Sequence, residues 1–106
     1  MPDGIKDLLT ELKSRLVPLY GVHLKQVCLY GSHARGEAQQ GSDIDVLIVL
    51  DRIERYGAEI DRTSELISDL SLKAGHSISR LFVTENDWQH RDTPFLVNVR
   101  REAIPA

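Results

Sequence analysis

Residues 29–50 read LYGSHARGEAQQGSDIDVLIVL and carry the strongest structural signal in the chain. The stretch leaves an apolar segment, passes through polar residues between Gly31 and Ser42, and returns to an unbroken apolar run at residues 46–50. A run that is apolar on both faces of a strand is typical of a central strand covered on both sides. The stretch therefore predicts two strands of one sheet, joined by a turn that contains glycine.

The segment before this stretch has the period of an amphipathic helix. Its apolar side chains recur three or four residues apart. They are Ile5, Leu8, Leu9, Leu12, Leu16, Leu19 and Tyr20. Asp3 is placed as a helix cap, and Pro18 is expected to end or kink the helix. A short strand over residues 26–30 follows, with Val27 and Leu29 on the same face.

The segment after the stretch predicts a second helix over residues 51–75. Asp51 and Glu54 are spaced as a capping pair, and Gly75 suits the helix exit. Apolar positions again repeat at helical spacing. They are Ile53, Tyr56, Ile60, Thr63, Ile67, Leu70 and Ala74.

The remainder of the chain predicts one more strand and two short helices. The strand is expected over residues 78–83, and Thr84 and Thr93 each mark a helix start. There is no internal repeat, linker or composition shift. Residues 1–106 are therefore expected to form a single domain of the α/β (α+β) class.

Composition narrows the classes of function. The 106 residues include 13 Lys and Arg against 16 Asp and Glu, a net charge of −3, which argues against autonomous binding of nucleic acid. The sole cysteine, Cys28, excludes an internal disulfide framework. The longest apolar run is too short to cross a membrane, and acidic Asp3 and Asp7 stand where a signal peptide needs apolar residues. A cytoplasmic protein without membrane association is expected.

Asp43 and Asp45 form an unusual pair at the start of the apolar strand. Residues two apart on a strand point to the same side, so both carboxylates face one pocket. Like charges this close repel each other unless a cation neutralises them, and Mg²⁺ prefers oxygen ligands. The pair indicates a metal site, although solvated aspartates at a strand start are the simpler alternative.

Gly31 and Ser32 form a second candidate site, at the end of the preceding strand. Gly31 lets a ligand approach the backbone closely, and a helical turn starting at Ser32 would aim its hydroxyl and backbone N–H groups at an anion. The alternative is an ordinary strand-to-helix turn with Ser32 as N-cap. A phosphate cradle after one strand and paired carboxylates on the next together indicate a nucleoside triphosphate site.

These residues resemble the minimal nucleotidyltransferase group of the DNA polymerase β-like superfamily. The signature of that group is Gly-Ser, ten residues, then Asp-x-Asp. Here Gly31-Ser32 is followed by ten residues and then by Asp43-Ile44-Asp45. The strong resemblance covers residues 27–50, about a quarter of the chain. Two motifs at a fixed spacing are far more specific than a lone glycine loop.

The resemblance implies a small mixed β-sheet with helices packed against it, the nucleotidyltransferase (polymerase β-like palm) fold. It implies transfer of a nucleoside monophosphate, AMP above all, from ATP or another triphosphate to a hydroxyl acceptor. Gly31 and Ser32 would hold the triphosphate, and Asp43 and Asp45 would be the catalytic ligands of Mg²⁺. Arg35 would supply positive charge near the phosphates, or else be a solvated arginine on a short helix.

The sequence departs from the family pattern at one position. Catalytic members carry a third carboxylate on the next strand, where it binds metal and takes the proton of the attacking hydroxyl. The corresponding position here is Ser79, which can do neither well. Glu85 and Asp87 follow shortly after, although acidic residues are favoured in the first turn of a helix in any case.

Two further features have both an ordinary and a functional interpretation. His33 adjoins Ser32 and is either a turn residue or a phosphate contact. Phe95, Leu96 and Val99 form a short apolar face, which fits a packing helix or, if exposed, a partner surface.

Three functions remain open at this point. The first is a Mg²⁺-dependent nucleotidyltransferase. The resemblance makes its partner a HEPN-type toxin, of which a tyrosine receives AMP, so that the chain is an antitoxin. The second is a catalytically weakened binding module that neutralises a partner by contact. The third is a nucleotide-sensing domain. The short chain favours a protein partner, and a homo-oligomer is also compatible with the sequence.

Overall fold

The computed structural model describes residues 3–106, which form one α/β unit. In chain order its elements are α1 Asp3–Tyr20, a 3₁₀ turn Gly21–His23, β1 Leu24–Tyr30, α2 Ser32–Arg35, β2 Ile44–Leu50, α3 Tyr56–Ala74, β3 Ile78–Thr84, α4 Glu85–His90, α5 Pro94–Glu102 and β4 Ile104–Pro105. The cap expected at Asp3 depends on a side chain outside those described. Within residues 3–106, no helix is both long and apolar enough to span a bilayer.

The four strands form a mixed sheet in the order β3-β2-β1-β4. The long helix α3 connects β2 to β3, so these strands run parallel, whereas β1 is antiparallel to both of its neighbours. Central β2 is buried at six of its seven positions, as its apolar run predicts. The small mixed sheet with packed helices is confirmed.

The alternation of side chains along the strands divides the core into two layers. Helices α1 and α3 cover one face of the sheet, where Val27 and Leu29 lie together as predicted. The other face carries Cys28, Leu47 and Val49, and Val99 of α5 packs on it. Helices therefore cover both faces, which explains why β2 has no polar side.

Helix α1 departs from expectation in its last turn. The helix continues past Pro18 to Tyr20, where the buried tyrosine hydroxyl donates a hydrogen bond to Glu59 at 2.9 Å. That contact holds the last turn of α1 in place, although Pro18 was expected to end or kink the helix before it. Leu19 was placed on the buried face but is 39% exposed.

The start of α3 was predicted wrongly. The helix begins at Tyr56 with Arg55 as an N-cap that makes no side-chain hydrogen bond, so Asp51 and Glu54 are not a capping pair. Asp51 instead lies at the end of β2, where its Oδ2 is 2.7 Å from Nδ1 of His23. The Asp51 carboxylate, which local spacing predicted to cap α3, thus makes a tertiary contact with His23 instead.

The remaining differences are at element ends. β1 begins two residues earlier than predicted, β3 ends one residue later, and β4 was missed because two residues carry no periodic signal. β2 begins at Ile44, so Asp43 belongs to the preceding loop. Gly75 ends α3 in the left-handed conformation, as expected.

Candidate active site

The turn between β1 and α2 begins the candidate site. Gly31 is the N-cap of α2 with φ 78° and ψ −157°, and its carbonyl accepts a hydrogen bond from the N–H of Arg35 at 3.1 Å. Ser32 is the first helical residue, as expected, and not the cap that the alternative interpretation required. A positive φ of this size is readily adopted only by glycine.

Gly31 has a second constraint that the sequence did not reveal. A Cβ added at this position would overlap Oδ2 of Asp45, so the carboxylate lies directly against the glycine backbone. We expected Gly31 to be small so that a phosphate could approach. The structure shows that its missing side chain makes room for the metal-binding candidate on the neighbouring strand, which brings the two motifs into contact.

Asp45 lies in the middle of a row across the sheet. It is paired with Tyr30 of β1 and with Ser79 of β3. Burial raises the pKa of the Asp45 carboxyl above its ordinary value, and the nearby charge of Asp43 raises it further. His33 and Arg35 act in the opposite direction. The positive charges of the surrounding residues therefore do not offset the effect of burial and of Asp43 on the pKa of Asp45.

Asp43 is exposed in the loop before β2, yet it is near enough to influence the ionisation of Asp45. Among residues 3–106, no group of three or more His, Cys, Asp or Glu side chains is arranged to hold a metal ion. Two carboxylates that repel each other fit a hard cation that completes its shell with water and phosphate oxygens. The two carboxylates are therefore compatible with Mg²⁺ if water and phosphate oxygens supply its remaining ligands.

A cleft of about 490 Å³ opens beside Asp45, within the usual size range of small-molecule sites. The turn, α2 and α5 form its walls. The lining residues are Tyr30, Gly31, Ser32, Arg35, Asp45, Phe95, Asn98, Val99 and Glu102. The structure thus brings four of the five predicted site residues to one cleft, while Asp43 lies outside its walls.

Arg35 is engaged by two carboxylates. Its Nη1 donates to Glu102 at 2.8 Å and its Nε donates to Glu37 at 3.3 Å. Glu102 is 67 residues away in sequence, and it was missed because no local pattern links it to Arg35. One signal was present: Glu102 is the last residue of α5, where the helix dipole disfavours an acidic side chain.

The position of the absent third carboxylate is now defined. Ser79 is the register partner of Asp45, so its side chain lies on the same face of the sheet. Glu85 and Asp87 follow Thr84, which pairs with Leu50 at the opposite end of β2. That end is about 17 Å along the strand from Ser79. Neither residue can replace a carboxylate at Ser79.

The aromatic and histidine side chains near the cleft have packing roles. Nε2 of His33 is 3.2 Å from the carbonyl oxygen of Ser42, which ties α2 to the loop before Asp43. Tyr30 meets the partly exposed ring of Phe95 edge-on, with centroids 6.0 Å apart. Burial and the nearby Asp45 raise the pKa of Tyr30 to about 12, so its hydroxyl stays protonated at neutral pH.

The geometry and the motifs define a class of protein. The chain belongs to the nucleotidyltransferase domain family, whose model matches residues 5–102. Among its relatives is MJ0604 of Methanocaldococcus jannaschii, which carries a provisional assignment as a protein adenylyltransferase. The two sequences are 36% identical over 82 residues, which is 77% of this chain and 72% of the relative.

Solved structures share the fold. A provisionally identified nucleotidyltransferase from Sulfolobus solfataricus superposes with a TM-score of 0.68 and 19% identity, covering 96% of this chain and 80% of that one. A chain of a toxin–antitoxin complex crystallised with AMP-PNP superposes with a TM-score of 0.61 and 18% identity, covering 90% and 69%. The family resemblance seen at residues 27–50 therefore extends to the whole architecture.

Proposed function

We propose that this domain transfers AMP from ATP to a hydroxyl acceptor in a reaction that depends on Mg²⁺. One observation carries the proposal: the carboxylate of Asp45 lies against the backbone of Gly31. The candidate metal ligand and the candidate phosphate-binding turn are therefore parts of one site. The adenylyl donor is supported by the name of the relative from M. jannaschii and by the AMP-PNP in the related complex.

The residues that line the cleft, together with the neighbouring Asp43, have distinct roles in this proposal. The Ser32 hydroxyl and the free backbone N–H groups of the first turn of α2 hold phosphate oxygens. Asp43 and Asp45 bind Mg²⁺, which, when present, offsets the charge of the triphosphate and polarises the α-phosphorus. Asp45 is set in a central strand and held against Gly31, so it keeps its position without a bound nucleotide.

The reaction exchanges one P–O bond for another. The acceptor oxygen bonds to the α-phosphorus, the bond to the bridging oxygen breaks, and pyrophosphate leaves with that electron pair. The acceptor hydroxyl must lose its proton. Because β3 presents Ser79 beside Asp45 and supplies no carboxylate there, this proposal has that proton pass to water.

We further propose that the acceptor is a tyrosine of a HEPN-type toxin and that the domain acts as its antitoxin in the cytoplasm. The related toxin–antitoxin complex supports a protein partner. The cleft is also open along α5, where Phe95 is 48% exposed at its edge. An acceptor side chain from another protein could reach Asp45 along this side.

Ser79 favours a second candidate function. A nucleotidyltransferase fold that lacks the third carboxylate could neutralise its partner by contact alone, with nucleotide binding but no transfer. The register pair of Ser79 with Asp45 is the specific observation behind this alternative. Transfer and binding must therefore be measured separately.

A labelling experiment separates the two. The protein is incubated with Mg²⁺ and ATP labelled at the α-phosphate, with and without the product of the neighbouring gene, and compared with an Asp43→Asn/Asp45→Asn variant. We expect label on the partner with wild type and none with the Asp43→Asn/Asp45→Asn variant. A matched control, Asp61→Asn/Glu65→Gln, removes two exposed carboxylates from α3 and should retain transfer.

Three results are informative. Label that persists in the Asp43→Asn/Asp45→Asn variant would refute the assignment of these residues. Binding of ATP that needs Mg²⁺, without label on any acceptor, would favour the contact module. Absence of ATP binding by wild type would refute both functions.

A further inference from the structure

The ion pair between Arg35 and Glu102 forms part of the wall of the cleft. The guanidinium donates at 2.8 Å to a carboxylate that is only 18% exposed. Both residues line the same cleft as Gly31, Ser32 and Asp45. The side chain best placed to attract phosphate is therefore already paired with an anion.

The charge balance of the cleft is negative. Asp45 and Glu102 line it against Arg35. Asp43 is near enough to raise the pKa of Asp45, and both Glu37 and Glu102 contact the Arg35 guanidinium. Glu102 also raises the pKa of Asp45, although burial and Asp43 do so more strongly. A triphosphate that enters this cleft meets net repulsion and competes with Glu102 for Arg35.

We propose that Glu102 is a positioning residue that withholds Arg35 from phosphate, so that the cleft accepts a triphosphate poorly until a cation has neutralised Asp43 and Asp45. The proposal rests on the nucleotide-binding function proposed above. When a cation and triphosphate are bound, the phosphate takes over the guanidinium, and the Glu102 carboxylate exchanges Arg35 for water. The domain thereby discriminates against triphosphate that carries no divalent cation.

Glu102, and not Glu37, has the properties that this role requires. The Glu37 side chain is 67% exposed in a loop, bonds the guanidinium at the longer distance of 3.3 Å and does not line the cleft. Glu102 ends α5, whose preceding turn is anchored in the core by buried Val99. An exposed ion pair contributes little, whereas a partly buried one on a rigid helix competes effectively with a ligand.

The direct test is the affinity for inorganic triphosphate, measured by calorimetry in the presence of EDTA. Glu102→Gln keeps the shape of the side chain and removes its charge, so it should bind about tenfold more tightly than wild type, the size expected for one freed charge-assisted contact. Glu65→Gln, an exposed substitution on α3 with the same change in net charge, should bind like wild type. Glu37→Gln should have a smaller effect than Glu102→Gln.

A double substitution tests whether Glu102 acts through Arg35. In an Arg35→Ala background, Glu102→Gln should lose most of its effect, which a general change in stability would not do. The gain of Glu102→Gln over wild type should also shrink as ionic strength rises. If Glu102→Gln folds poorly by thermal unfolding, Glu102→Asp, shorter by one methylene, tests the same contact and should shift affinity in the same direction.

The outcomes separate this inference from the proposed function. Equal or weaker binding of triphosphate by Glu102→Gln and Glu102→Asp would overturn the inference, while the proposed function stands if wild type still binds ATP with Mg²⁺. A tenfold gain that persists without Arg35 would also overturn it. Failure of wild type to bind ATP with Mg²⁺ would overturn both.

Discussion

The two ends of β2 each carry an aspartate, and their environments are opposite. Asp45, near the start of the strand, has a pKa raised by burial and by the charge of Asp43. Asp51, immediately after its end, has a pKa lowered by the hydrogen bond from His23 at 2.7 Å. The surroundings favour the ionised form of Asp51 and disfavour that of Asp45. This difference supports the metal-binding role proposed for Asp45 and a structural role for Asp51.

The largest expected effect concerns the glycine that makes room for Asp45. Gly31→Ala forces a Cβ into Oδ2 of Asp45 and also places alanine at φ 78°, so we expect a loss of about 2–4 kcal/mol in the free energy of unfolding. Urea unfolding measures it. Gly36→Ala is the comparison variant, since Gly36 lies in the left-handed helical region (φ 72°, ψ 21°) with open space around it, and it should cost only about 1 kcal/mol.

The change in the cost of Gly31→Ala between the wild-type and Asp45→Ala backgrounds isolates the contact with Asp45. In the Asp45→Ala background, which removes the overlapping oxygen, Gly31→Ala should cost less than in wild type but still more than Gly36→Ala, because ψ is −157° at Gly31 and 21° at Gly36. Equal losses for the two glycines in the wild-type background would mean that Asp45 moves away easily, and would weaken the case for a preformed site.

The next largest effect is expected when a carboxylate is added at the end of β2 that carries Asp45. Ser79→Asp places a third carboxylate beside Asp45, where it can accept the acceptor proton, so we expect transfer of AMP to rise by about tenfold or more. Thr84→Asp is the matched control, because it adds a carboxylate at the other end of β3, in a cap position that accepts aspartate. Rates of label transfer from ATP measure both, and no gain for Ser79→Asp would mean that the missing carboxylate does not limit the reaction.

The smallest effects compare the two aspartates directly. Asp45→Asn removes a charge that burial disfavours, so it should raise the melting temperature without metal by a few degrees. Asp51→Asn should lower it, since the contact with His23 is weakened. Addition of Mg²⁺ should stabilise wild type and Asp51→Asn, but not Asp45→Asn. Stabilisation of Asp45→Asn by Mg²⁺ would place the cation elsewhere.

The pH dependence of these differences follows from the two pKa shifts. Ionisation of Asp45 destabilises the fold, and this penalty is complete above its raised pKa and absent below the ordinary value of 3.8. Ionisation of Asp51 stabilises the fold; this contribution is complete above 3.8 and is lost as pH falls through its lowered pKa. On acidification, the advantage of Asp45→Asn should therefore disappear before the disadvantage of Asp51→Asn does.

Local patterns predicted those parts of the molecule in which one physical requirement dominates. The run at residues 46–50 predicted a covered central strand because a strand with two apolar faces has no other stable position. The alternation in β1 placed Val27 and Leu29 on one face correctly. Spacing failed at Asp51, where a partner 28 residues away outcompeted a local cap.

The candidate site was predicted to a similar extent. Gly31, Ser32 and Asp45 were named from motif spacing and Arg35 from its charge beside the motif, and all four line the cleft. The contact of Gly31 with Asp45 and the ion pair of Glu102 with Arg35 could not be inferred, since both join separate elements of the structure. Ser79 was identified from its place in a strand, and the sheet register sets it beside Asp45.

The sequence by itself determined the order of the long helices and of the first three strands, the two motifs and their spacing, and the absence of a carboxylate at position 79. These follow from periodicity and residue chemistry, which act over a few neighbouring residues. Only the tertiary structure decided that Asp45 is the aspartate whose charge is disfavoured by burial, and that Arg35 is held by Glu102. Burial and ion pairing depend on what surrounds a charge in space, and chain folding brings those groups together from remote parts of the sequence.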